Sequence, residues 1–72
     1  MAKVSFINAV NIDTARIVLA KRVRADGVVL GYVVELVEFG RAQTLFQGIS
    51  DLSARMWFKR FQNMIQEGWR PA

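Results

Sequence analysis

Ser5, Ser50 and Ser53, the pair Glu35 and Glu38, and Lys21 are among the side chains here whose types suit covalent or acid–base chemistry. Their surroundings argue against each use. A serine nucleophile needs a base beside it, and the chain contains no histidine and no cysteine thiol. Glu35 and Glu38 stand an odd number of positions apart on a predicted strand, so they point to opposite faces and form no acid–base pair. Lys21 falls opposite Tyr32 in the hairpin that the sequence encodes, where a lysine stem lying along a ring is the ordinary use. There is no G-x-G-x-x-G, no P-loop and no carboxylate cluster for a hard metal. The expectation is a protein that is not an enzyme, with no cofactor, no metal and no small-molecule substrate.

What remains is binding chemistry, and it is basic. The 72 residues carry a net charge of +4 with no acidic block, and Arg16, Lys21, Arg22 and Arg24 crowd onto one predicted strand. Such a balance suits polyanionic partners or an acidic protein surface. The length allows one small domain, residues 1–72, whose core is marginal unless densely packed or shared with another copy. The opening "MAKVSFINAVNID" lacks the apolar run and cleavage site of a signal peptide, and no stretch is long enough to span a membrane. A cytoplasmic protein with no membrane partner is the simplest expectation.

The elements that position these residues follow from periodicity. "KVSFI" alternates as a short strand, and "NAVNID" reads as a loop whose Asn and Asp bond their own backbone. "RIVLAKRVRADGVVLGYVVELVEF" is a hairpin about Asp26-Gly27, a pair suited to a type I′ turn. That turn opposes residues whose numbers sum to 53: Val23 with Leu30, Lys21 with Tyr32, Leu19 with Val34, Ile17 with Leu36. Cross-strand partners share a face, so this side is the core. A turn at Phe39-Gly40-Arg41 leads to a fourth strand, in which either Leu45 or Phe46 faces the core, depending on loop length. "SDLSARMWFKRFQNMIQEGW" is a helix capped by Ser50 or Asp51, with Ala54, Trp57, Phe58, Phe61 and Ile65 on one stripe and Gly68 at its left-handed end. Arg55, Lys59 and Arg60 stand on its polar side. The predicted fold is α+β: a four-stranded antiparallel β-meander with one C-terminal helix packed on one face, order ββββα.

One helix covers one sheet face. On the other, Arg24 opposes Val29, Arg22 opposes Gly31, Ala20 opposes Val33, Val18 opposes Glu35 and Arg16 opposes Val37. Valines bracketed by arginines on a solvated face suggest a contact surface. Its candidate residues are Arg16, Arg22, Arg24, Val29 and Val33, with Arg41 at the following turn. A flat sheet could receive the bases of single-stranded nucleic acid while arginines hold phosphates. The aromatic available for stacking is Phe46, in one of its two registers. The same face could dock on a protein or pair two copies of the chain as a homodimer.

The segment "QGISDLSARMWFKRFQNMIQ" resembles the Gly-Ile-Ser/Thr, cap and aromatic-rich helix that close the positive-cofactor-four type transcriptional coactivators, with Gly48, Ile49, Ser50 and Trp57 as the specific points. The ββββα order is similar to theirs and to Pur-alpha and Whirly repeats. The resemblance implies a transcription-associated domain whose helix-free sheet face takes single-stranded nucleic acid, often in pairs, with Arg16, Arg22 and Arg24 as contacts. The alternative is a small protein-binding regulator, of the kind phages use against host RNA polymerase, docking on a polymerase subunit.

Overall fold

The computed structural model of the protein describes residues 3–72. Four strands, β1 (Lys3–Ile12), β2 (Ala15–Val23), β3 (Val29–Glu38) and β4 (Arg41–Gly48), precede one helix, α1 (Asp51–Gln66). The strands form a single antiparallel sheet in chain order, β1-β2-β3-β4. This is the expected ββββα architecture.

The central hairpin adopts the register its sequence encodes over most of its length. Arg16 opposes Val37, Ile17 opposes Leu36, Leu19 opposes Val34, and so on to Arg22 opposite Gly31. The tip differs. Val23 opposes Val29 instead of Leu30, so Leu30 is an extra residue and stands exposed. Gly27 has φ 91° while Asp26 keeps a negative φ, so the type I′ turn expected here does not form. The chain instead turns through Arg24–Gly27, closed by a bond from Gly27 N–H to the Arg24 carbonyl at 2.9 Å. The doublet of positive φ falls at Phe39-Gly40, at 53° and 74°, between β3 and β4.

Two further bulges decide which side chains face where. In β1 the register shifts between Phe6 and Asn8, leaving Ile7 as the extra residue. The stretch read as a loop, "NAVNID", is therefore mostly strand, with the turn confined to Asp13-Thr14. A bulge adds one unpaired residue and flips the alternation beyond it. Val10 and Ile12 consequently face the helix, opposite Ile17 and Ala15, whereas Val4 and Phe6 oppose Arg22 and Ala20 on the other side. In β4 the shift skips Leu45: Glu35 opposes Thr44 but Val34 opposes Phe46. The two registers left open by the sequence both occur, one on each side of the bulge, and both Leu45 and Phe46 pack against the core.

The core lies between the sheet and α1. Ile17, Leu19, Val34 and Leu36 meet Ala54, Phe58 and Ile65, all buried. Phe46, Trp57, Phe61 and Trp69 continue it as a row of rings with centroids 6.2, 5.4 and 5.7 Å apart. Each large side chain buried contributes about 1.5–3 kcal/mol, which holds a sheet this small to its helix. Ser50 caps α1 by accepting from Ser53 N–H at 3.2 Å. At the other end Gly68 has φ 101°, and Gly68 and Trp69 donate back to Ile65 and Met64 carbonyls, each at 3.0 Å. That paired capping folds Trp69 onto Phe61. Arg70 then reaches the sheet, donating to both Glu38 carboxylate oxygens at 2.8 and 3.0 Å. No helix among the described residues is long and apolar enough to cross a membrane.

Candidate functional site

The face opposite α1 is crossed by four rows of side chains set by the pairing: Val4–Arg22–Gly31, Phe6–Ala20–Val33–Gln47, Ala9–Val18–Glu35–Thr44 and Asn11–Arg16–Val37–Ala42. Among the described residues, no secondary-structure element covers it. Even so, Ala20 is 1% and Val18 6% exposed, because taller neighbours close over the small residues of the central strand. The tall side chains carry the exposure, Phe6 at 73% and Val4 at 58%.

Among the residues expected to make contacts, the structure brings Arg16, Arg22 and Val33 onto this face. Arg16 and Arg22 are exposed at opposite ends of it, six residues apart on β2, a separation of roughly 20 Å at strand rise. Val33 lies between them, half-buried. Val29, expected opposite Arg24 on this face, begins β3 opposite Val23 instead, because the extra residue Leu30 shifts the register at the tip and takes Val29 off the face that Arg22 shares.

Arg24 and Arg41 lie elsewhere. Arg24 belongs to the turn, and its guanidinium bonds Asp26, with Nε 3.1 Å from Oδ1 and a second contact to Oδ2. The Arg24 guanidinium holds the Asp26 carboxyl below its usual range, with the Val28 N–H adding to the effect. Arg41 opposes Glu38, and Glu38 is bonded by Arg70 from the end of the helix, so Arg41 belongs to the helix side of the sheet. The expected aromatic, Phe46, is also on the helix side, against Trp57.

β1 supplies what the sequence reading missed. With "NAVNID" as a loop, β1 is too short to orient, and Val4, Phe6 and Ala9 have no assigned place on the face. The even positions of Val4, Phe6, Val10 and Ile12 would put all four on one face of a regular strand. The bulge at Ile7 instead divides them between the two faces, and the one local hint of it is Ile7, an apolar residue out of phase with the others. Opposite, Thr44 Oγ1 donates to Glu35 Oε2 at 3.2 Å, which orients the one acidic side chain of the face.

The remaining positive charge is dispersed. Arg55 is held by Asp51 at 2.7 Å, and the Arg60 guanidinium lies 5.3 Å from the centre of the Trp57 ring. No three His, Cys, Asp or Glu side chains gather as metal ligands among the described residues. Lys21 and Tyr32 are paired as expected, on the helix side of the sheet.

The class is thus an α+β module with one closed and one open sheet face, the open one carrying a protruding phenylalanine, two exposed arginines and a run of small apolar residues. No protein-family model matches the chain, and no curated protein or solved structure matches it.

Proposed function

We propose that the protein is a non-enzymatic, transcription-associated binding module that contacts single-stranded nucleic acid through its open sheet face. One observation carries this reading: Phe6, 73% exposed, stands on the same face as Arg16 and Arg22. Base stacking on an aromatic contributes about 1–3 kcal/mol per base and tolerates any sequence, because every base has a π face. Arg16 and Arg22 lie on either side of that ring along the strand direction, a separation that suits phosphates several nucleotides apart on a strand crossing the face. With one aromatic and two arginines the affinity is modest, and binding weakens as salt rises.

The test is a titration of labelled single-stranded DNA and RNA at two salt concentrations, followed by fluorescence anisotropy. Binding that weakens with salt and with Phe6→Ala is the expected result; no binding at low salt overturns the reading.

A second reading rests on the predominance of apolar residues on that face. Val4, Phe6, Val33 and Val37, with Arg16 and Arg22 at opposite ends and Glu35 among them, have the make-up of a protein interface, mainly apolar with a few charged anchors. Under it the face docks on a protein such as an RNA polymerase subunit. Val33→Glu would then abolish binding to purified polymerase with little dependence on salt. If that variant binds polymerase as well as the parent, or neither binds, this second reading fails.

A further inference from the structure

The open face is not uniformly flat. A depression of about 360 Å³, lined by Phe6, Ala9, Arg16, Val18, Glu35 and Val37, lies within it. Its size falls in the range of sites that take small organic groups. Small side chains at Ala9 and Val18 oppose each other across β1 and β2, and Phe6 and Arg16 stand higher on either side. On electrostatic grounds Glu35 weakens the binding of a polyanion to this face unless its oxygens take part in recognition.

The Glu35 carboxylate is oriented by Thr44, whose hydroxyl donates to Oε2, and no ion pair joins it to Arg16. Thr44 is its one side-chain donor among the described residues, which leaves Oε1 with acceptor capacity at the depression. An ionised carboxylate accepts hydrogen bonds and cannot donate them. Among the bases, guanine presents two neighbouring donors, N1–H and N2–H, on one edge, a match for the two oxygens of a carboxylate. Thymine and uracil present one N–H between two carbonyls, and those carbonyls repel a carboxylate.

We infer that this depression is a base-reading pocket that selects guanine over thymine or uracil in a single strand, with Phe6 stacking on the base and Glu35 accepting from its donor edge. This inference rests on the single-strand reading above and adds base selectivity to it. Thr44 acts as a positioning residue, since it touches the carboxylate and not the base.

The probes are a short labelled oligothymidylate and the same strand with one central guanine, compared by anisotropy at low salt. The guanine strand should bind about tenfold more tightly, in the range that a two-bond base contact supplies. Glu35→Gln should bring the ratio close to one by weakening the guanine strand, because an amide offers one acceptor and one donor group in place of two acceptors. It should leave oligothymidylate binding equal or stronger, since a negative charge has been removed. Thr44→Val should lower the ratio less, and Phe6→Ala should weaken both strands together. Thermal unfolding of each variant checks that it is folded, and Glu35→Asp, which keeps both oxygens, should preserve part of the ratio. If both strands bind the parent equally, the pocket does not read guanine, while the single-strand function stands. If the ratio is present but survives Glu35→Gln, the carboxylate is not the reader. Failure of both strands to bind overturns this inference together with the reading on which it rests.

Discussion

Releasing Arg24 should make the protein bind single strands with a steeper salt dependence, and removing Arg24 should change nothing. The reason is its ion pair. Each phosphate neutralised on a single strand contributes about 0.7 to the slope of log affinity against log salt. Counting arginines along β2 and its turn suggests three contacts and a slope near −2.1. The structure leaves two: Arg16 and Arg22 are exposed on the open face, while Arg24 is bonded through two nitrogens to Asp26. The expected slope is therefore about −1.4, so a fourfold rise in salt weakens binding about sevenfold. Arg22→Ala should bring the slope to about −0.7, and Arg16→Ala should do the same. Arg24→Ala should leave it within error of the parent. Asp26→Asn keeps an oxygen for the Val28 N–H, which Asp26 accepts at 3.2 Å, but loses the charge that holds Arg24. That variant should steepen the slope to about −2.1. Anisotropy titrations of an oligothymidylate at four or more salt concentrations measure all five slopes. A flattening by Arg24→Ala as large as that by Arg22→Ala would refute the reasoning. So would an Asp26→Asn variant that behaves like the parent.

Three other outcomes follow from the fold. Phe58 is buried between α1 and the sheet, so Phe58→Ala should lower unfolding free energy by about 3–5 kcal/mol in denaturant titration, enough to unfold a domain this small at moderate temperature. Phe39 holds φ 53° while 82% exposed, so Phe39→Asn relieves backbone strain without losing burial and should raise stability by about 1 kcal/mol, seen as a higher Tm. The bonds from Arg70, and then from Thr14, hold the Glu38 carboxyl below its ordinary value of 4.5. The native state therefore binds fewer protons than the unfolded chain in that window. The stabilisation from Glu38 is complete above the ordinary value and is lost as pH falls through the depressed one. Tm should drop more steeply on acidification in the parent than in Arg70→Ala, and equal pH profiles would show that the pair adds nothing.

The order ββββα, the central register up to the hairpin tip and the helix, with its C-terminal cap and an N-cap narrowed to Ser50 or Asp51, were legible in the amino-acid sequence. These depend on short-range rules. Alternation with period two sorts β2 and β3, because a slip by one residue would bury Arg16 and Arg22 and expose Ile17 and Leu19. The spacing of Ala54, Phe58, Phe61 and Ile65 is that of one helix face, and Ser50 and Gly68 act within one turn of the backbone.

The open face was legible only in part. Arg16, Arg22 and Val33 follow from the central register alone. Phe6, Ala9 and Glu35's depression do not, because they depend on where β1 docks. Only the tertiary structure decided the phase of the outer strands. A bulge leaves one residue unpaired, and its energy is recovered only when the helix is present to cover the residues turned inward. At Ile7 that gain is Ile7, Val10 and Ile12 against the core; at Leu45 it is Leu45 and Phe46 together. Both effects involve residues distant in the chain, which no local pattern weighs. Arg24 is the reverse case: a two-residue contact with Asp26 withdrew it from the face, because the tip turned through Arg24–Gly27 and brought the two side chains together.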